Sequence, residues 1–114
     1  MARYRGLTLR VLGKRAPAMG PGKAELIERI AETGSISAAA RAMGMSYRRA
    51  WQLVEALNKD YREPVIATAI GGTRGGGASV TPFGMRLVRL FRAMEDKASA
   101  VIAADLRRFT RYIS

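Results

Sequence analysis

The segment from residue 46 to residue 52 concentrates polar and basic side chains that could form hydrogen bonds with the edges of base pairs. Arginine donates two hydrogen bonds to guanine O6 and N7, and glutamine makes a matching pair with adenine N6 and N7. Arg48, Arg49 and Gln52 are therefore candidates for base contacts, whereas Ser46 and Tyr47 suit either phosphates or bases. Roughly half or more of protein–DNA hydrogen bonds go to the sugar–phosphate backbone, so a phosphate contact or a solvated position stays open for each residue.

Composition excludes most enzymatic chemistry. The chain has no cysteine and no histidine, so tetrahedral zinc sites and Ser-His or Cys-His catalysis are out of reach. The acidic residues are scattered and form no obvious carboxylate pair. The glycine-rich run at 71–77 (GGTRGGG) lacks the Lys-Ser/Thr ending of a phosphate-binding loop. We therefore expect no enzyme, no metal and no cofactor.

The charge balance favours an anionic partner. The formal net charge is +11, and such an excess suits nucleic acid, an anionic membrane surface or an acidic protein. No apolar run reaches the roughly 18 residues of a membrane span, and the N-terminus lacks the apolar core and cleavage site of a signal peptide. The sequence predicts a cytoplasmic, nucleoid-associated protein, and the side chains at 46–52 favour double-stranded DNA among the anionic partners that the charge allows.

Two short helices joined by a tight turn would present the candidate side chains to a DNA groove. Ala39 and Ala40 are small enough for the helices to cross closely, and Gly44 can adopt a positive φ in the turn. Ser35 or Ser37 can cap the first helix, and both are further candidates for DNA contacts. A plain α-helical bundle is the alternative. The predicted buried side consists of apolar residues, with the single tryptophan placed beside them: Ile36, Met43, Met45, Ala50, Leu53, Val54 and Trp51.

The chain before this motif predicts a strand, a loop and a helix. Apolar and polar residues alternate over 7–11, which is typical of a short strand. This strand belongs to a basic arm, residues 1–15, which either contacts the DNA backbone or lies in solvent. Residues 16–22 are rich in Pro and Gly and predict a loop. Pro21 suits the first turn of the following helix, which Gly34 should end.

A β-hairpin is predicted directly after the motif. Residues 65–70 are apolar and β-branched, and 78–81 can form the return strand around the glycine-rich tip at 71–77. Such a hairpin next to a helix-turn-helix is called a wing. Thr73 and Arg74 at its tip are candidates for minor-groove or phosphate contacts. The alternative is a loop without a role.

A long helix completes the chain. Thr81 can cap it, Pro82 suits its first turn, and apolar residues then recur every three or four positions over about four heptads. A helix of about 30 residues is about 45 Å long, so one small domain cannot cover its whole apolar stripe. The first half should fold back on the domain, and the alternative is that the second half does so too. The second half is the predicted dimer interface, formed by Met94, Ala98, Val101, Ile102, Leu106, Phe109 and Ile113.

These residues resemble the N-terminal DNA-binding domain of the ModE family of molybdenum-responsive regulators and, more distantly, the LysR-type winged helix-turn-helix. The resemblance covers most of the chain, and its paired Ser-Tyr…Ala-Trp and Gly-Gly…Gly-Gly-Gly motifs are fairly specific. The matching positions are Gly34-Ser35-Ile36-Ser37, Ala39-Ala40, Gly44, Ser46-Tyr47, Ala50-Trp51, Leu57-Asn58, Gly71-Gly72, Gly75-Gly76-Gly77-Ala78, Thr81, Gly84 and Arg86-Leu87.

The resemblance implies a homodimer that docks two recognition helices on a pseudo-palindromic operator, with the long helix holding the dimer together. Full-length members of the family also carry C-terminal β-barrel domains that bind molybdate or tungstate. This chain stops at Ser114, directly after the long helix, and nothing in it resembles such a barrel. We therefore expect no direct binding of molybdate.

The predicted fold is mainly α with a small β-hairpin. Residues 1–81 form a winged helix-turn-helix with a basic N-terminal strand, and residues 82–114 form the dimerisation helix of the same structural unit. The leading functional hypothesis is a sequence-specific transcriptional regulator. The alternatives are an architectural DNA-binding protein without sequence preference and a protein-interaction module that uses the long helix.

Overall fold

Four helices and two small antiparallel hairpins form the part of the chain that the computed structural model describes, residues 6–69 and 77–114. This confirms the predicted class, a winged helix-turn-helix followed by a long C-terminal helix. The elements are β1 (Val11–Leu12), β2 (Pro17–Met19), α1 (Pro21–Thr33), α2 (Ile36–Ala42), α3 (Tyr47–Asp60), β3 (Ile66–Ala69), β4 (Gly77–Val80) and α4 (Pro82–Thr110).

Local sequence signals set the ends of the helices. The hydroxyl oxygens of Ser35, Ser46 and Thr81 each accept a hydrogen bond from the backbone N–H three residues later, at 3.0, 3.0 and 2.9 Å, and so cap α2, α3 and α4. Gly34, after α1, and Gly44, in the turn between α2 and α3, have φ values of +69° and +68°. A side chain at either position would be strained, so glycine suits both turns.

The core lies where α1, α2 and α3 meet, and the start of β3 and the first half of α4 close it. Ala39 and Ala40 on α2 are buried, and their small side chains let α2 pack closely, as predicted. Met43, Met45 and Leu53, which were predicted to be buried, are only half-buried at its edge, as is Trp51. The largest fully buried side chains are Leu26, Ile27, Ile30, Val54, Leu57 and Val65.

The hairpin of β3 and β4 is held on both sides by the helix-turn-helix. Its strands pair from Ile66 opposite Val80 to Ala69 opposite Gly77. The predicted return strand was one residue too late, because Thr81 is the cap of α4 and not part of the strand. The Ala78 N–H donates to the carbonyl of Gly34 at 3.0 Å, which ties β4 to the junction of α1 and α2.

The N-terminal region differs from the prediction. The predicted strand over 7–11 and loop over 16–22 are replaced by a hairpin in which β1 pairs only with the three residues of β2. A strand needs a partner for its backbone groups, and β2 reaches only as far as Val11. Met19 inserts into the core from β2, and Pro17 is tolerated as the first residue of its strand. The Tyr61 hydroxyl donates to the Ala18 carbonyl at 2.9 Å, and burial, together with the charge of Asp60, raises the pKa of Tyr61.

The first half of α4 is fixed to the domain. Val88 and Phe91 are buried, and the Arg92 guanidinium makes two hydrogen bonds to Glu28 on α1, at 2.8 and 3.1 Å, and one to Glu95 at 2.7 Å. The hydrogen bonds to Glu28 raise the pKa of Arg92 most, and the bond to Glu95 raises it further. The second half of α4 extends away from the core, so the molecule measures 56 × 29 × 23 Å. Among the described helices, none is long and apolar enough to cross a membrane.

Candidate nucleic-acid interface

The outward face of α3 carries the side chains that were predicted to contact DNA. Ser46, Tyr47, Arg48, Arg49 and Gln52 are all exposed at the N-terminal end of this helix, while its opposite face is buried in the core. Because residues on a helix are turned by about 100° from one to the next, Arg48 and Gln52 lie near the middle of the outward face. This end of α3 is the part that reaches base edges in helix-turn-helix proteins.

The two flanks of this face differ. On one flank, Tyr47 is 55% exposed and its ring contacts Trp51 edge to face, with ring centroids 6.1 Å apart. On the other flank, Arg49 lies in line with the half-buried Met45 and Leu53, next to the start of α1. Arg49 therefore faces a different side of α3 from Arg48.

Three hydroxyl groups near this face have structural bonds. The Ser46 oxygen accepts from the N–H of Arg49 and the Ser35 oxygen accepts from the N–H of Ala38, so each retains its O–H for a donor bond. The Ser37 oxygen accepts from the Arg41 guanidinium at 2.9 Å. Ser37 thereby positions an exposed cation that the sequence analysis missed, although a spacing of four residues on one helix is the signal that could have shown it.

Glu55 was also missed. It is exposed on the outward face of α3, one turn after Gln52 and two turns after Arg48. A carboxylate there repels phosphates but can accept a hydrogen bond from cytosine N4. Its spacing of three residues from Gln52 was visible in the sequence, but only basic and uncharged polar residues were predicted to contact DNA.

Asn58 connects the recognition helix to the hairpin. Its side-chain oxygen accepts from the N–H groups of Val65 and Ile66, at 2.8 and 3.0 Å, and its NH₂ donates to the Ile66 carbonyl at 3.0 Å. These backbone groups lie in a buried part of the chain, so Asn58 satisfies donors and an acceptor that would otherwise be costly to bury. The predicted contacts at the tip, Thr73 and Arg74, lie outside the described residues.

Nothing in the described segments resembles a metal centre. No group of three or more acidic side chains there could hold a metal ion. The surface instead offers exposed donors on a convex helix, which suits the groove of a duplex better than a small molecule.

The predicted dimer residues run from Met94, near the middle of α4, to Ile113, which lies just beyond the last helical residue, Thr110. Met94, Val101, Phe109 and Ile113 are 40%, 81%, 67% and 62% exposed, respectively. Leu106 is half-buried because the N-terminal segment lies against it: a Cβ atom at Gly6 would be 2.6 Å from Cδ2 of Leu106. The half-buried Ala98 and Ile102 lie on the same side of the helix. The apolar stripe is thus exposed at Met94, Val101 and Phe109, whereas the N-terminal segment partly covers it at Leu106.

The helices α1, α2 and α3 pack together, α3 is capped, and a hairpin follows it. These features define a winged helix-turn-helix domain, a class that binds duplex DNA. Residues 22–85 match the sequence model of a protein family, the bacterial regulatory helix-turn-helix proteins of the LysR family. The chain belongs to this family.

Curated proteins that are similar to this chain have names that refer to molybdenum or to transcriptional regulation. The chain is 41% identical over 100 residues to the molybdenum-pterin-binding protein MopB of Rhodobacter capsulatus, covering 88% of this chain and 36% of MopB. It is 30% identical over 105 residues to the molybdenum transport protein ModE of Azotobacter vinelandii (82% and 39%). It is 35% identical over 88 residues to the DNA-binding transcriptional dual regulator ModE of Escherichia coli K12 (75% and 34%). The chain thus spans somewhat more than a third of the length of these relatives.

A solved structure supports the fold. ArgP from Mycobacterium tuberculosis superposes with a TM-score of 0.53 at 23% identity, covering 76% of this chain and 30% of ArgP. This likeness concerns the fold alone.

Proposed function

We propose that this chain is a transcriptional regulator that acts in the cytoplasm and binds a specific DNA sequence through α3. The observation that carries the proposal is the outward face of α3, where Arg48 and Gln52 lie side by side on a helix whose other face is buried. The net charge of +11 supplies attraction to phosphates. Membership of a family of regulatory proteins, and the names of the relatives, support the same function.

Competition binding tests the proposal. A preferred site is first selected from a pool of random duplexes with the intact chain, and affinity is then compared between this site and unselected duplex at one salt concentration. A sequence-specific regulator should prefer its site by roughly a thousandfold or more. A preference of only a few-fold would contradict the proposal and favour an architectural DNA-binding protein.

We further propose that the chain acts as a homodimer through the distal half of α4. The exposed apolar residues Met94, Val101 and Phe109 support this, since a second copy would remove them from water. Two-fold pairing would present two recognition helices to one duplex, with half-sites about 34 Å apart or a multiple of that distance. The preferred site should therefore be a pseudo-palindrome. At the hairpin tip, Thr73 and Arg74 are proposed to contact the backbone or the minor groove beside each half-site.

Residues 1–114 by themselves are proposed not to bind molybdate. MopB and the Azotobacter vinelandii ModE have names that refer to molybdenum, but the chain spans only somewhat more than a third of their length. Titration of molybdate into the protein in a calorimeter tests this. Saturable one-site heat with a sub-micromolar constant would contradict it.

A further inference from the structure

A basic cleft lies beside the recognition helix, between the flank of α3 that carries Arg49 and the start of α1. It has a volume of about 460 Å³, and its lining brings together Arg10, Lys23 and Arg49 from three separate parts of the fold. The sequence does not join these three cations, because they are up to 39 positions apart and only the tertiary fold brings them to one cleft.

Two of the cations are positioned by neighbouring backbone. The ammonium group of Lys23 donates to the Pro17 carbonyl at 2.6 Å, which holds it at the rim and leaves two of its N–H bonds for a ligand. The Arg10 stem lies along Gly20, where a Cβ atom would be 3.5 Å from its Cγ. This is an ordinary van der Waals distance, so the Arg10 side chain lies against the start of α1.

No negative charge neutralises these groups within the cleft. Its lining contains no acidic residue, and the first turn of α1 has none either. The other lining groups are glycines, prolines and the apolar side chains of Met45 and Leu53. Three cations without a carboxylate form a strongly positive patch, and such a patch attracts a polyanion.

We propose that this cleft binds the sugar–phosphate backbone of the same duplex that α3 reads. This rests on the proposed function and adds a second contact region to it. Arg49 belongs to both surfaces, since it lies on α3 and also lines the cleft, so a strand that leaves the groove along this flank meets Lys23 and Arg10 next. The proposal assigns Arg49 to a phosphate and leaves base reading to Arg48 and Gln52.

The salt dependence of binding tests the cleft. The intact chain is compared with Arg10→Gln and with Arg10→Gln/Lys23→Gln, and the matched control is Lys97→Gln/Arg107→Gln, two exposed cations on the distal half of α4. Each lost phosphate contact lowers the slope of log K against log salt by about 0.9. We expect the cleft double variant to lose a slope of about 1–2 more than the control, with equal loss of affinity for selected and random duplex.

Each outcome separates the cleft from the proposed function. Equal slopes for the cleft variants and the control would overturn the proposal, and so would a fall in the ratio of selected to random affinity, which would indicate base contacts. Inorganic phosphate could also be tested as a competitor of the duplex at constant ionic strength. Saturable competition that is lost in Arg10→Gln would indicate a site for a free anion and would overturn the proposal that the cleft binds the DNA backbone. If the intact chain itself fails to discriminate between duplexes, the proposed function fails instead. Arg10→Gln replaces an exposed side chain, so this variant should remain folded, as a melting curve can verify.

Discussion

Arg48 differs from Arg49 because it lies near the middle of the outward face of α3, whereas Arg49 lies on the flank that borders the cleft. We expect Arg48→Ala to cost about 1–3 kcal/mol of binding to the selected site and to relax the preference at one base pair. The measurement is affinity for the selected site and for its single-base variants. Arg107→Ala, the same change at an exposed position on the distal half of α4, is the control. Equal loss on selected and random duplex would assign Arg48 to a phosphate.

Asn58 acts on stability and not on recognition. Asn58→Ala would leave the N–H groups of Val65 and Ile66 and the Ile66 carbonyl without their side-chain partner. We expect the free energy of unfolding to fall by about 1–3 kcal/mol, the cost of a buried polar group left without a bond. Urea denaturation measures it, with the exposed Gln52→Ala on the same helix as a control that should change stability by less than about 0.5 kcal/mol. Similar values for the two variants would show that the bonds of Asn58 are dispensable.

The sequence predicted single residues best where their roles are local. The caps Thr81 and Ser35, the latter one of the two serines predicted for α2, were recognisable because each bonds three residues ahead, within a pattern that helix starts share. Ser46 caps α3 in the same way but was predicted only as a DNA contact. Asn58 was not, since its partners lie seven and eight residues later and depend on where β3 begins. The side of α3 on which Arg49 lies could be estimated from helix geometry, but the cations that join it across the cleft could not.

At the scale of elements, the joint between the hairpin and α4 depends on a close approach. A Cβ atom at Gly84 would lie 2.5 Å from the Val65 carbonyl oxygen and 2.8 Å from Cγ1 of Val80. We expect Gly84→Ala to force these elements apart and to cost about 1–3 kcal/mol of unfolding free energy. Thermal or urea unfolding tests this.

Gly22, in the first turn of α1, is the matched control for Gly84. A Cβ atom there would meet nothing within 4 Å, so Gly22→Ala should be neutral or stabilise by up to about 1 kcal/mol, because alanine restricts the unfolded chain. Equal effects at the two positions would contradict the packing at Gly84.

Elements with strong periodicity, clear caps or a glycine-rich turn were predicted, and strands whose formation depends on packing against the core were not. The long helix from Pro82 follows from a local cap and a repeated apolar spacing. The hairpin of β1 and β2 was missed because the Pro-rich segment before Pro21 looks like a loop, and its strand character depends on the burial of Met19 in the core. The alternation from Leu7 to Val11 is real, but it lacks a partner strand along most of its length.

For the whole molecule, the proposed dimer depends on the exposed apolar residues of α4, among them Met94, Val101 and Phe109. Val101 is 81% exposed, so Val101→Asp should leave the fold of one copy intact. If two copies pair there, an aspartate would be driven into an apolar contact and the protein would become a monomer. We expect affinity for the full site to fall by about a hundredfold or more, because the second half-site loses its effective concentration.

Sedimentation at tens of micromolar measures this, with Ala100→Asp as the control. Ala100 is also exposed, but it lies on the side of α4 turned away from the stripe, so its variant should stay dimeric. A dimeric Val101→Asp, or a monomeric intact chain, would contradict pairing through the apolar stripe.

The anchoring of Arg92 to Glu28 makes α4 a lever with its pivot near the domain. From Arg92 to Thr110 the helix extends about 27 Å, so a tilt of about 10° at the pivot displaces the far end by about 5 Å. The converse also holds in the proposed dimer. A shift of a few ångströms between the distal ends of the two α4 helices would rotate one domain relative to the other. If two copies pair as proposed, the packing between the distal ends of α4 therefore sets the angle between their two α3 helices.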